Sequence, residues 1–173
     1  MTCGIDLAQV RTRNDLPPAV RERACELLNQ RLAECIDLQL QCKQAHWNVQ
    51  GANFIALHEL FDDINSAVED YVDLVAERVV QLAGVAQGTL GTVVSRTSLP
   101  AYPPCGSEAL RHLEALATAL AAFGSGARRG IDEMTGLGDA ASADILTEVV
   151  RGIDKWLWFV EAHLPERAAP APA

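Results

Sequence analysis

Residues 54–82 read FIALHELFDDINSAVEDYVDLVAERVVQL. Leu57, Phe61, Ile64, Val68, Tyr71, Val75 and Leu82 recur in steps of three and four, with one turn skipped near the end. An apolar residue every 3.6 positions lines one face of a helix, whereas a strand requires alternation at two. The run predicts one long amphipathic helix, capped by Asn53 and stopped at Gly84.

Upstream, Val20, Ala24, Leu27, Leu28, Cys35, Leu38 and Cys42 keep helical spacing. This predicts a first helix that Pro17-Pro18 opens, Asp15 caps and Gly51 closes off. Downstream, Gly88, Gly91, Pro100, Pro103 and Pro104 break all periodicity between residues 84 and 106. A link of that length inside a compact domain needs a purpose. Crossing a bundle so that the second and third helices run parallel is such a purpose. Thr92-Val93-Val94 can hold a short extra helix within it.

Ser107 is the expected cap of a third helix carrying Leu110, Leu113, Ala117 and Leu120, with Gly124-Ser125-Gly126 weakening its middle. After Gly136 and Gly138 a fourth helix runs through Ile145, Val149, Ile153, Trp156 or Leu157, and Val160, until Pro165 ends it. No stretch alternates as a strand over more than a few residues, and no repeat recurs at a fixed period. The expected organisation is a flexible arm over 1–15, a four-helix bundle over 16–165, and a disordered Ala/Pro tail over 166–173.

A length of 173 residues suits one domain, and 49 % hydrophobic residues can fill its core. Lys plus Arg number 14 against 23 Asp plus Glu, a net charge of −9. Such a chain repels phosphate, which disfavours a constitutive nucleic-acid binder. No basic leader precedes an apolar run, and no run reaches the length of a membrane span, so a cytoplasmic protein is expected. Five scattered cysteines, an odd number with no C-x-x-C, read as reduced thiols.

Five metal-ligating side chains fall in one window: His46 in the last turn of the first helix, and His58, Asp62, Asp73 and Glu77 on the second. At 100° per residue the last three stand about 40°, 60° and 100° round from His58, one stripe beside the apolar face. Imidazole with carboxylate suits iron, manganese or zinc; on an acidic helix the same pairs also arise as solvated charge. His58 and Asp73 lie about 22 Å apart along the axis, too far to grip one ion with ligands ~2 Å away. Two copies of the second helix packed antiparallel about a two-fold axis would bring His58 and Asp62 of one chain to Asp73 and Glu77 of the other, twice. No glutamate here has a histidine three residues on, so the Glu-x-x-His pattern of a site inside one bundle is absent from the sequence.

Lys43-Gln44-Ala45-His46-Trp47-Asn48, Gly51-Ala52-Asn53-Phe54-Ile55-Ala56-Leu57-His58-Glu59, Asp73-Leu74-Val75-Ala76-Glu77-Arg78 and Gln81-Leu82 resemble the signature of the Dps, or mini-ferritin, family, the DNA-binding proteins from starved cells. The resemblance runs from about residue 16 to 165, including Ser98 to Pro103 and the final helix from Ala143-Asp144-Ile145-Leu146 to Asp154-Lys155-Trp156-Leu157-Trp158-Phe159. It implies an all-α, ferritin-like four-helix bundle with its long crossover, assembled as a hollow homododecamer. It further implies a ferroxidase: Fe(II) oxidised, with hydrogen peroxide the preferred oxidant, at a mono- or di-iron site between subunits, and Fe(III) mineral stored inside. His46, His58 and Asp62 would come from one subunit and Asp73 and Glu77 from its neighbour.

Trp47 beside the site would either absorb stray oxidising equivalents or simply pack. Lys43, one turn before His46, would either steady a site carboxylate or be an ordinary surface lysine. By the same resemblance Asp144, with Asp139 and Glu148, would line cation-concentrating channels, and Glu59 and Asp63 would nucleate mineral. A plain solvated acid is the other reading of each. DNA binding is the family trait not carried over. In residues 1–16 Arg11 and Arg13 offset Asp6 and Asp15, and no side chain after Arg167 is charged. The alternative function is a nucleoid-compacting, DNA-binding structural protein with a secondary iron site; a third is a bundle with structural zinc.

Overall fold

The computed structural model describes residues 12–165. Cys3, residues 1–11 of the expected arm and the whole 166–173 tail lie outside the described residues. Five helices follow one another: α1 Pro18–Asn48, α2 Phe54–Gln81, α3 Leu90–Arg96, α4 Ala109–Leu137 and α5 Ala140–Glu161. Four are the long helices read from the sequence, and α3 is the short one in the crossover.

α1 packs on α2 and α4, and α5 packs on the same two, so α2 and α4 occupy opposite corners of the bundle. Gln50, just ahead of α2, bridges Glu108, just ahead of α4, and its N–H donates to the Ser107 carbonyl at 3.1 Å. The two diagonal helices therefore start at one end and run parallel. Only a link as long as the bundle can connect them that way.

A polar stripe on α1 fixes the crossover. Asn29 donates to the Val85 carbonyl (3.1 Å) and accepts from the Gln87 N–H (2.9 Å). Gln30 donates to the Arg96 carbonyl at 2.6 Å. Thr97 and Ser98 donate their hydroxyls to Asp37 (2.6 Å) and Glu34 (2.7 Å), and Gln41 donates to the Pro100 carbonyl at 3.1 Å. Asn29, Glu34 and Gln41 are buried, which is tolerable because their polar atoms are met. The opposite side of α1 carries Leu28, Leu32, Leu38 and Cys42 into a core shared with Phe61, Ile64, Leu120, Phe123 and Ile153 and, towards the other end, with Val79, Leu82, Met134 and Leu146.

Several local expectations are corrected. Pro17 is the N-cap of α1 and Glu108 that of α4; neither Asp15 nor Ser107 caps its helix, and Asn53 holds the cap position of α2 without a side-chain bond. Leu110 is 48 % exposed rather than core. The Gly124-Ser125-Gly126 stretch does not interrupt α4. A Cβ on Gly126 would overlap the Arg31 guanidinium, so the small residue lets α1 and α4 approach across that side chain. Gly152 does the same for Tyr71 at the α2–α5 crossing. α5 ends at Glu161, before Pro165.

Cys25, Cys35, Cys42 and Cys105 are buried free thiols. Burial pushes Cys42 up to about 12 and Cys35 higher still, with Glu34 adding to it. Both are packing groups, not nucleophiles. Among the described residues no helix is long and apolar enough to cross a membrane.

Candidate metal centre

The α1–α2 turn brings the two histidines together. Buried Ala45 and Val49 on α1 and Leu57 and Phe61 on α2 hold the helices in contact, and His46 and His58 emerge beside them half-buried. Their rings stack, with centroids 3.6 Å apart and planes 24° from parallel. The backbone bonding is reciprocal: His46 Nδ1 meets the His58 carbonyl at 2.8 Å, and His58 Nδ1 meets the His46 carbonyl at 2.9 Å. A carbonyl oxygen only accepts, so each Nδ1 carries the ring proton. In the neutral imidazoles both Nε2 lone pairs are left over, oriented by the same bonds that fix the tautomers. This is how ligating histidines are normally held. Phe54 covers the outer side of His58, ring centroids 5.0 Å apart.

Asp62 follows one turn after His58, and Lys43 reaches it from α1, Nζ to Oδ1 at 2.6 Å. The hydrogen bond from the Lys43 ammonium holds the Asp62 carboxyl below the usual carboxylate range; desolvation opposes this, and the Lys43 charge and the two histidines add to the lowering. Lys43 thus makes the contact that would steady this carboxylate. Trp47 is 66 % exposed, with Lys43 Nζ 6.0 Å from its ring centroid. Its ring is therefore not core packing in this chain.

Asp73 and Glu77 are exposed further along α2 and are not brought to the His46–His58–Asp62 group. Among the described residues no three His, Cys, Asp or Glu side chains of one chain converge on a point that could hold a metal ion. The five candidates thus divide into two half-sets on one helix surface, as the helical rise requires. The donors fit borderline and hard cations such as iron: two imidazole nitrogens, and carboxylates with room to bind.

The remaining candidates separate. Glu59 and Asp63 are exposed on α2 beside the histidines, and Asp144 and Glu148 are exposed one turn apart on α5. Asp139 departs from the expectation of a channel residue. Its side chain is 1 % exposed and pairs with Arg78 Nη2 at 2.8 Å. It also caps α5 by accepting from the Ser142 N–H (3.1 Å) and hydroxyl (2.5 Å). Arg78 completes the group by donating Nε to Ser142 Oγ at 2.8 Å. Sequence reading did not foresee this network, which ties the Glu77 end of α2 to the start of α5. The Asp-x-x-Ser opening of α5 was the visible sign of a cap.

Comparison with known proteins agrees with this fold. The ferritin-like domain family matches residues 25–168. A DNA protection during starvation protein of Agrobacterium fabrum is 44 % identical over 158 residues, covering 91 % of this chain and 98 % of that protein. Among solved structures, Dps of Mycobacterium smegmatis superposes with a TM-score of 0.86 at 32 % identity, over 90 % of this chain and 94 % of that one. DpsA14 of Streptomyces coelicolor gives a TM-score of 0.85 at 37 % identity, over 94 % and 95 %. A bundle with this crossover, this paired-histidine turn and these relatives belongs to the Dps branch of the ferritin-like family.

Proposed function

We propose that the protein is a ferroxidase and iron-storing mini-ferritin, whose oxidation sites are completed by a second copy of the chain. Family membership places it among proteins of iron storage and DNA protection in starvation. The observation that supports the finer reading is the stacked pair of imidazoles, each bonded through Nδ1 to a carbonyl with Nε2 left over, one turn from Asp62 and with too few ligands in one chain to close a site.

The second half-set mirrors the first. Ile55, His58 and Asp62 on α2 stand at the same distances from the point between Ala67 and Val68 as do Val80, Glu77 and Asp73 on its other side. A two-fold axis crossing α2 at that level pairs His58 with Glu77, Asp62 with Asp73, and Ile55 with Val80. Ile55 and Val80 are 60 % and 59 % exposed, an apolar pair at the outer edge of each site whose exposure a neighbouring copy would remove.

Iron(II) is the substrate of such a site. Two ions give one electron each to hydrogen peroxide, the O–O bond breaks, and two protons complete two waters. This consumes iron(II) and peroxide together without releasing hydroxyl radical. Lys43 holds one Asp62 oxygen while the site waits for cations and must yield that oxygen as iron arrives. Glu59 and Asp63 would receive ferric ions next to the site, and Asp144 and Glu148 would draw cations inward. Trp47, exposed at the site, would take stray oxidising equivalents. A chain of net charge −9 protects DNA by this chemistry rather than by coating the phosphate backbone.

Stopped-flow oxidation of iron(II) by peroxide under anaerobic conditions tests the reading. The His46→Ala/His58→Ala variant should lose the fast phase while its solution mass stays at twelve times 18.6 kDa. Unchanged kinetics refute the site, and a smaller wild-type particle refutes the cage. Tight, salt-steep gel-shift of DNA by metal-free protein would favour the nucleoid-compacting alternative.

A further inference from the structure

Half-buried Tyr102 and buried His112 form a second hydrogen-bonded pair, for which iron binding has no use. The chain has two tyrosines, Tyr71 and Tyr102. Tyr102 sits in the crossover and His112 in the first turn of α4, only 1 % exposed. His112 Nε2 lies 3.1 Å from the Gly106 carbonyl and so carries the ring proton. Nδ1 then has only a lone pair, and Tyr102 Oη, 2.5 Å away, donates its proton to it.

The surroundings keep both groups neutral. Burial pushes the Tyr102 phenol up, and the Cys105 and Cys42 thiols push it further. Burial pushes His112 down. A phenol that cannot ionise into water loses an electron easily only if a base takes its proton in the same step. Here that base is in place, hydrogen-bonded and unprotonated.

The location connects the pair to the iron site. Tyr102 packs on the core cluster that contains Cys42, and Cys42 lies one turn of α1 before His46, about 6 Å along the axis. Electron transfer from the Tyr102 ring to His46 or its iron would run through this packed segment of α1.

We infer that Tyr102 and His112 are a proton-coupled electron donor that quenches one-electron oxidants formed at the iron site. The inference rests on the iron-and-peroxide reading above. When a site holds a single iron(II), peroxide takes one electron from it and cleaves to hydroxide and a hydroxyl-radical-level oxidant. That oxidant takes one electron from Tyr102. The Oη proton moves to His112 Nδ1, leaving a neutral tyrosyl radical beside an imidazolium. The imidazolium keeps its Nε2–H on Gly106 and now donates Nδ1–H back to the phenoxyl oxygen. The oxidising equivalent is thereby stored inside the shell instead of leaving as a diffusible radical. A pair that served only to anchor the crossover would keep the same hydrogen bonds but yield no radical.

Two arms of one experiment test this. In the first, the iron-free protein is photo-oxidised by flash-quench with tris(bipyridyl)ruthenium and frozen for electron paramagnetic resonance, with ring-deuterated tyrosine identifying the radical. The expected result is a neutral tyrosyl signal, retained in Tyr71→Phe, lost in Tyr102→Phe and diminished in His112→Gln. A wild-type protein without the signal, or a Tyr102→Phe variant that keeps it, overturns the inference without any reference to iron. In the second arm, iron(II) below one ion per site is mixed with peroxide. The same signal should appear, and Tyr102→Phe should abolish it while raising hydroxyl-radical spin adducts, with the rate of iron oxidation unchanged. If flash oxidation yields the radical and iron with peroxide does not, the sink role is overturned. The iron-oxidation rate in that mixture then judges the ferroxidase reading separately.

Discussion

Mixing two dead variants offers a direct measure of whether each oxidation site is shared. Let one variant lack the first half-set (His46→Ala/His58→Ala) and another lack the second (Asp73→Ala/Glu77→Ala). Each alone should be inactive, because every site in its cage lacks one half. In a two-fold pair made of one chain of each kind, one site receives both damaged halves and the other receives both intact halves. Random co-assembly at equal proportions makes about half of all pairs mixed, and each mixed pair has one good site of two. Recovery should therefore reach about a quarter of the wild-type rate. The value follows from the α2 register alone, since His58 lies about 22 Å along its own helix from Asp73. The assay is peroxide-dependent iron(II) oxidation on cages refolded together, with native mass spectrometry verifying mixed composition. Verified mixed cages that remain inactive would refute shared sites. Activity in either unmixed variant would show that one half-set suffices.

Four further outcomes follow from single features. Ile55→Glu should split the cage in sedimentation, and Val80→Lys in the same chain should restore it, because the mirrored register places the two side by side; no rescue refutes the register. Lys43→Met should move the acid limb of iron oxidation to higher pH. Lys43 depresses Asp62, so the wild type keeps this carboxylate ionised as pH falls, and the variant protonates it earlier; an unmoved limb refutes the role. Asp139→Ala leaves the Arg78 charge buried and unpaired, and thermal unfolding should show a loss of about 3–5 kcal/mol, against well under ~1 kcal/mol if the pair is idle. Gly152→Ala should cost about 1–3 kcal/mol by driving a methyl into Tyr71, and Tyr71→Leu in that background should recover part of it; equal stability of both refutes the close crossing.

The long elements and the spacing of the candidate ligands on α2 were legible in the sequence because each depends on spacing within one helix. Leu57, Phe61, Ile64 and Val68 declare the buried face of α2 by period alone, and His58, Asp62, Asp73 and Glu77 take their places on the stripe beside it. Cap positions were less legible. Asp15 and Ser107 are good capping residues that the chain passes by, since proline geometry ahead of α1 and the bridge to Gln50 ahead of α4 decide where those helices start. Asn29, Glu34 and Gln41 carry no such period, and they are the points where the crossover is bonded.

By itself the sequence determined an all-α bundle with a long crossover, and the division of its five candidate ligands into two sets too far apart for one chain to unite. These are consequences of rise and angle per residue, which are local. Tertiary structure alone decided which nitrogen of His46 and His58 stays free, that Lys43 occupies Asp62, that Asp139 is a buried partner of Arg78, and that Tyr102 donates to His112. Each of these contacts joins residues on different elements or across a turn. The helical period of one segment carries no information about what another segment brings to its side.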